Sequence, residues 1–89
     1  MSRTRETAAI CDEISRFLRA NVLDEDVELT NESGLRELGV DSVGLVELLL
    51  FVERRFGVMM PDSAMTEENL HSVDTLALWV SAFASHAGT

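Results

Sequence analysis

Eighty-nine residues, set against a prior of roughly 150 residues per domain, allow one small core, read here as a single domain over 1–89 with an ordered part over 7–84. Hydrophobic residues make up 46% of the chain, and sixteen Asp plus Glu against seven Arg and no Lys leave a net charge of −9. The hydrophobic content argues against a disordered chain, and the negative field argues against nucleic acid and membrane surfaces, favouring a soluble protein partner with a basic patch.

From Thr7 to Leu18, Ile10, Ile14, Phe17 and Leu18 fall at offsets 0, 4, 7 and 8, one side of a 3.6-residue helix. The next stretch, Asn21 to Val40, is acidic and follows no single period. It reads as a long, partly pinned loop that either carries function or hides a turn of helix near Leu35 to Leu38.

A second helix is predicted from Ser42 to Phe56, with Asp41 as its N-cap and Gly57 as the stop. Leu45, Leu48, Leu49, Val52 and Phe56 share one stripe and are the expected core face. Val43, Glu47, Leu50 and Arg54 share the opposite side, where the aliphatic members suggest a docking surface.

Val58-Met59-Met60-Pro61-Asp62 breaks the helical pattern, because Pro61 disfavours helix at the residue before it and lacks a donor, so a turn or extended segment follows the second helix. Thr66 to Leu70 has room for about one helical turn, the expected short third helix. Ser72 is a plausible N-cap for a last helix carrying Val73, Leu76, Ala77, Val80 and Ala84, flanked by Trp79 and Phe83, and Ser85 to Thr89 is expected to fray. The fold expected is an all-α small four-helix bundle, with a long loop between helices one and two and a short third helix.

Little else in the chain points to chemistry. Asp24, Asp26 and Glu28 alternate as in a calcium loop, but Leu29 stands where the sharp turn needs glycine and Leu35 where glutamate closes the site. Cys11, His71 and His86 are too widely spaced to suggest a metal centre, so none is expected. With Cys11 the only cysteine, no internal disulfide can form; a half-buried, inert thiol and a cytoplasmic protein are predicted. No stretch resembles a secretion signal or a membrane span.

Ser42 stands apart. It follows Gly39-Val40-Asp41 at a helix start, where the dipole favours negative charge. A nucleophilic serine enzyme needs a base and a Gly-x-Ser-x-Gly elbow, and Val40 occupies the glycine place. Two readings remain: ordinary first-turn polarity, or a serine modified by another enzyme.

Leu38-Gly39-Val40-Asp41-Ser42-Val43, then Leu45, Glu47-Leu48, Glu53, Phe56-Gly57, Pro61-Asp62, Leu70 and Ser72-Val73, resemble the acyl carrier protein family over nearly the whole chain. The resemblance implies 4'-phosphopantetheine on Ser42, attached from coenzyme A by a phosphopantetheinyl transferase, with Asp41 positioning the serine. It implies a monomer that catalyses nothing and presents thioester cargo to loading, condensing or tailoring enzymes with basic docking patches. Val43, Glu47, Leu50 and Arg54 would be the docking residues. Leu48, Val52, Phe56, Met60, Leu70 and Val80 would pack the interior, with Met59, Met60 and Met65 near the mouth of a cargo pocket.

Many fatty-acid carriers have an acidic residue two after the serine and consecutive glutamates late in the second helix. Here those places hold Gly44 and Arg54-Arg55. A freestanding carrier for a polyketide-like or other specialised pathway is therefore expected, with an aminoacyl or peptidyl carrier as the alternative and an acidic helical regulator without cofactor as a third reading.

Overall fold

Three α-helices carry the fold in a computed structural model that describes residues 5–87, with side chains to residue 83: α1 (Arg5–Asn21), α2 (Ser42–Phe56) and α3 (Val73–Ala87). The expected stripe on α1 holds, since Ile10, Ile14 and Leu18 are buried. Cys11, expected to be half-buried, is fully buried, because α3 covers this side of α1. Its Sγ lies 3.5 Å from Asp74 Oδ1 on α3.

The α2 boundaries coincide with those predicted. Asp41 Oδ1 accepts from Gly44 N at 2.8 Å, and Gly57, at φ 71°, donates its backbone N–H to Glu53 O. Glycine adopts that left-handed conformation without the Cβ penalty other residues incur. Leu48 and Val52 are buried, while Leu45, Leu49 and Phe56 pack half-buried against the core. Ser72 caps α3 reciprocally: its Oγ accepts from Thr75 N at 3.3 Å, and Thr75 Oγ1 accepts from Ser72 N at 2.9 Å. This is a capping box with threonine in the usual Glu or Gln position.

The expected four-helix count is corrected. Between α2 and α3 lie a 3₁₀ turn, Asp62–Ala64, and then one α-type hydrogen bond, Leu70 N to Thr66 O at 3.0 Å, where the short third helix was expected. A lone turn fixes several residues for one bond. Thr66 Oγ1 accepts from Asn69 N and Asn69 Nδ2 donates to Ala64 O, side-chain bonds that hold a turn in place of a helix. Among the described residues the only extended pairing is a single bridge between Gly34 and Ser72.

The long loop between α1 and α2 is pinned at both ends. Val22 N and Leu23 N both donate to Leu18 O, at 2.9 and 2.8 Å. Asp74 N donates to Asn31 O at 2.9 Å, and Leu35 N to His71 O at 2.7 Å, tying the loop to the start of α3. The suspected turn at Leu35 to Leu38 is present as overlapping hydrogen bonds, with Leu35 and Leu38 buried. They join Met60, Val73, Leu76, Ala77 and Val80 in one core, while Leu70 is half-buried against it. On the outside, Arg55 pairs two-pronged with Glu13, clamping α2 to α1. Residues 88 and 89 of the tail expected to fray lie outside the described residues.

Candidate functional site

The site starts at Gly39, whose φ of 97° reverses the chain after the Leu35 turn. Val40 N then donates to Leu35 O at 3.0 Å and the Val40 side chain is buried, so the next two residues emerge at a fixed place. Asp41 is extended and caps the helix; Ser42 is the first helical residue and is exposed. Asp41 thus satisfies one of the four N–H groups that a helix start leaves unpaired, and the N–H of Ser42 and of Val43 remain without helical partners. They supply partial positive charge beside the hydroxyl.

Ser42 opens onto a cleft of about 780 Å³. One wall is the segment from Gly34 to Asp41, a second is Leu45 on α2, and the third is Met65 to His71. Leu35, Val40, Leu45, Met65 and Leu70 give the cleft an apolar floor, while Arg36 and Glu67 face one another at 3.9 Å across its exposed rim. A Cβ on Gly34 would lie 3.4 Å from His71 Cε1 and from Glu37 Oε1. Glycine there allows both side chains to line the cleft.

Of the three methionines expected near a pocket, only Met65 lines this cleft. Met60 belongs to the core and Met59 is 70% exposed. The wall contributed by residues 34–41 was not anticipated, because it is brought over by the Leu35–His71 bond and the Gly34–Ser72 bridge, which join residues far apart in sequence.

His71 is exposed and shares the cleft with Ser42. Among the described residues no side chain hydrogen-bonds the Ser42 hydroxyl. The arrangement suits a hydroxyl acted on by another enzyme better than a nucleophile activated within the chain. Asp24 and Asp26 sit in an exposed turn, and the side chain of His86 lies outside the described residues. Among the described residues no three His, Cys, Asp or Glu side chains gather into a metal site.

Val43, Glu47, Leu50 and Arg54 all emerge on the outer face of α2, Val43 being 68% and Leu50 46% exposed. The last three also border a second, shallower cleft of about 450 Å³ between α2 and α1. Its floor is Phe51 stacked on Phe17, with ring centroids 4.5 Å apart. Sequence reasoning missed that floor: the α2 pattern alone cannot reveal that Phe17 of α1 meets it.

A family profile described as "Phosphopantetheine attachment site" matches residues 8–80. Aminoacyl carrier protein 2 of Bradyrhizobium diazoefficiens is 39% identical over 63 residues, covering 71% of this chain and 68% of the relative. An acyl carrier protein of Campylobacter lari is 36% identical over 56 residues, covering 62% of this chain and 73% of that one. Among solved structures, a chain in the crystal structure of Bradyrhizobium japonicum glycine:carrier-protein ligase, complexed with its cognate carrier protein and an analogue of glycyl adenylate, superposes with a TM-score of 0.69. It is 32% identical, with 85% of this chain and 96% of that chain covered. A second, from that ligase complexed with glycylated carrier protein, gives a TM-score of 0.64 at 33% identity, covering 79% of this chain and 92% of that one.

Proposed function

The chain belongs to the carrier-protein family defined by the phosphopantetheine attachment site, and from that premise we propose that it is an aminoacyl carrier whose 4'-phosphopantetheine arm is joined to Ser42. Membership implies the covalent cofactor; the position of Ser42 supports the attachment point. An exposed hydroxyl, unpaired N–H groups beside it and an adjoining cleft with an apolar floor suit a phosphodiester-linked arm. When bound, the group supplies a terminal thiol that holds cargo as a thioester.

This chain's own residues have narrower tasks. Asp41 caps the first turn of α2, the turn that Ser42 opens. The N–H groups of Ser42 and Val43 favour a phosphodiester over a neutral ester. Gly39 and the buried Val40 hold the turn against the core. Catalysis belongs to partner enzymes: a transferase that installs the arm and a ligase that loads it. The reading includes a monomeric, cytoplasmic protein, in keeping with its single cysteine.

The choice of cargo is drawn from the relatives. Aminoacyl carriers and the carrier bound to a glycine ligase support an amino acid over the polyketide-like acyl chain favoured by sequence reasoning, and so support what was there the alternative. The test is intact-mass spectrometry. Incubated with coenzyme A and a broad-specificity transferase, the chain should gain one phosphopantetheine group and Ser42→Ala none. With glycine and ATP, the holo form should then accept a glycyl group from a glycine:carrier-protein ligase, with release of pyrophosphate and AMP, but no malonyl group from malonyl-coenzyme A and a malonyl transferase. Malonyl loading without glycyl loading would return the reading to the acyl pathway.

A further inference from the structure

Glu37 and Ser42 line the same cleft, on either side of Gly39 in the chain. The charged groups around that cleft differ in what already engages them. Arg36 and Glu67 face one another at 3.9 Å, and Asp41 Oδ1 accepts from Gly44 N. His71 supplies the remaining titratable side chain. Among the described residues the Glu37 carboxylate takes part in no ion pair or side-chain hydrogen bond.

The backbone that carries Glu37 is fixed. Leu38 N donates to Gly34 O at 3.1 Å and Gly39 N to Arg36 O at 3.0 Å, so residue 37 lies inside a hydrogen-bonded turn. Gly34 is buried beside it, and a Cβ there would lie 3.4 Å from Glu37 Oε1 and equally far from His71 Cε1. The missing side chain leaves carboxylate and imidazole flanking one point of the cleft wall.

We propose that Glu37 recognises the amino group of the cargo: with the arm folded back from Ser42, the α-ammonium of an aminoacyl thioester pairs with the Glu37 carboxylate, while the carbon chain of the arm lies on the apolar floor. The inference rests on attachment at Ser42 and on amino-acid cargo. Two observations carry it. The occupant is tethered at the cleft itself, which holds it at an effective concentration in the millimolar range, and its charge is opposite to that of the one unengaged carboxylate. Arg36, the competing cation, faces Glu67 instead. A polyketide-like chain would meet the same floor but offer Glu37 nothing. The pair is exposed and weak in isolation, so the tether is what makes it count. It favours the ammonium over the free amine, and an ammonium has no lone pair with which to attack a thioester.

The experiment loads arms from coenzyme A derivatives with a broad-specificity transferase, so its outcome is independent of any ligase. Two cargoes of one shape are compared: glycyl, and propionyl, in which a methyl replaces the ammonium. Relative to the unloaded holo chain, glycyl is expected to move the side-chain carboxyl ¹³C NMR signal of Glu37 and propionyl to leave it in place. A glycyl arm with an amide nitrogen in place of the thioester sulfur then survives a pH titration. Its α-amine should titrate about 0.3–0.7 pH units higher on the wild type than on Glu37→Gln, and on Glu28→Gln within about 0.1 of wild type. Glu28 is exposed and does not line the cleft, so its replacement changes net charge alone. A Glu37 signal that glycyl leaves unmoved, or that propionyl moves equally, overturns the proposal. So does a Glu37→Gln amine that titrates with the wild type, or a Glu28→Gln change as large as that of Glu37→Gln. A wild-type chain that takes up no arm overturns the attachment, and the proposal with it, an outcome distinct from equal titration among loaded variants.

Discussion

Asp41 Oδ1 accepts a hydrogen bond from Gly44 N at 2.8 Å, across the residue proposed to carry the arm. The carboxylate therefore serves stability and presentation of the serine through one contact. Removing an N-cap typically costs about 0.5–2 kcal/mol. Asp41→Ala is expected to lower the melting midpoint by several degrees, roughly 4–8 °C per kcal/mol at this size. Asp41→Asn should keep most of the stability, since its amide oxygen can accept the same bond. A melt showing equal loss for both variants would mean that the cap geometry is not what holds the turn.

Leu48 is fully buried in the shared core, whereas Leu50, two residues on, is 46% exposed. Leu48→Ala should cost about 2–5 kcal/mol, a large part of the about 4–13 kcal/mol that per-residue scaling allows a chain of this length. Leu50→Ala should stay within about 0.5–1 kcal/mol. Urea titration separates them, and a Leu48→Ala midpoint equal to that of Leu50→Ala would show the stripe misassigned.

The α2 helix was legible residue for residue because its signals are local: Asp41 before it, Gly57 after it and a leucine-rich stripe between. Signals that depend on partners distant in sequence were not. Gly44 stands in sequence only as the place where many fatty-acid carriers have an acid, and only the fold brings Val22 Cγ1 to 3.0 Å from where a Cβ would sit. Cys11 reads as half-buried until α3 covers it. The cleft beside Ser42 needs residues 34–41 and 65–71 side by side, and its hydrogen bonds join backbone groups that no side-chain pattern reports. The segment from Thr66 to Leu70 has helical composition, yet one α-type bond and two side-chain bonds leave it a turn.

Gly39 is a second glycine that shapes the site. Its φ of 97° lies where a Cβ is strained, although nothing stands within 4 Å of the position a Cβ would take. Gly39→Ala should therefore destabilise through backbone conformation alone, by about 1–2 kcal/mol, with no steric clash to relieve. Because this turn aims Ser42, arm transfer should slow more in Gly39→Ala than in Gly57→Ala, which carries a similar backbone penalty at the far end of α2. Equal transfer rates in two equally destabilised variants would separate the turn from the presentation of the serine.

The charge pattern of α2 supplies the last test, and the structure divides two arginines that look alike in sequence. Arg55 is engaged two-pronged with Glu13, while Arg54 is exposed beside Leu50 and Glu47 at the α1–α2 cleft. Glu47 and Arg54 are seven residues apart, two helical turns along one face. A partner reading this face needs positive charge near the serine end and none opposite Arg54, so repulsion contributes to selection alongside attraction. Arg54→Glu is expected to raise the association rate with a transferase whose docking surface is uniformly basic, and Glu47→Arg to lower it, with melting midpoints unchanged. Arg55→Glu should show a mixed result: a faster encounter, together with a stability loss of at most about 1 kcal/mol from breaking a partly exposed pair and setting it against Glu13. Exposed charges act mainly on the encounter and are screened within about 10 Å at 0.1 M salt. The differences among the variants should therefore narrow between low and high ionic strength, in stopped-flow association or in arm-transfer rates at limiting carrier. If Arg54→Glu and Glu47→Arg give the same rates at both salts, the outer face of α2 is solvated surface and its charges do not select the partner.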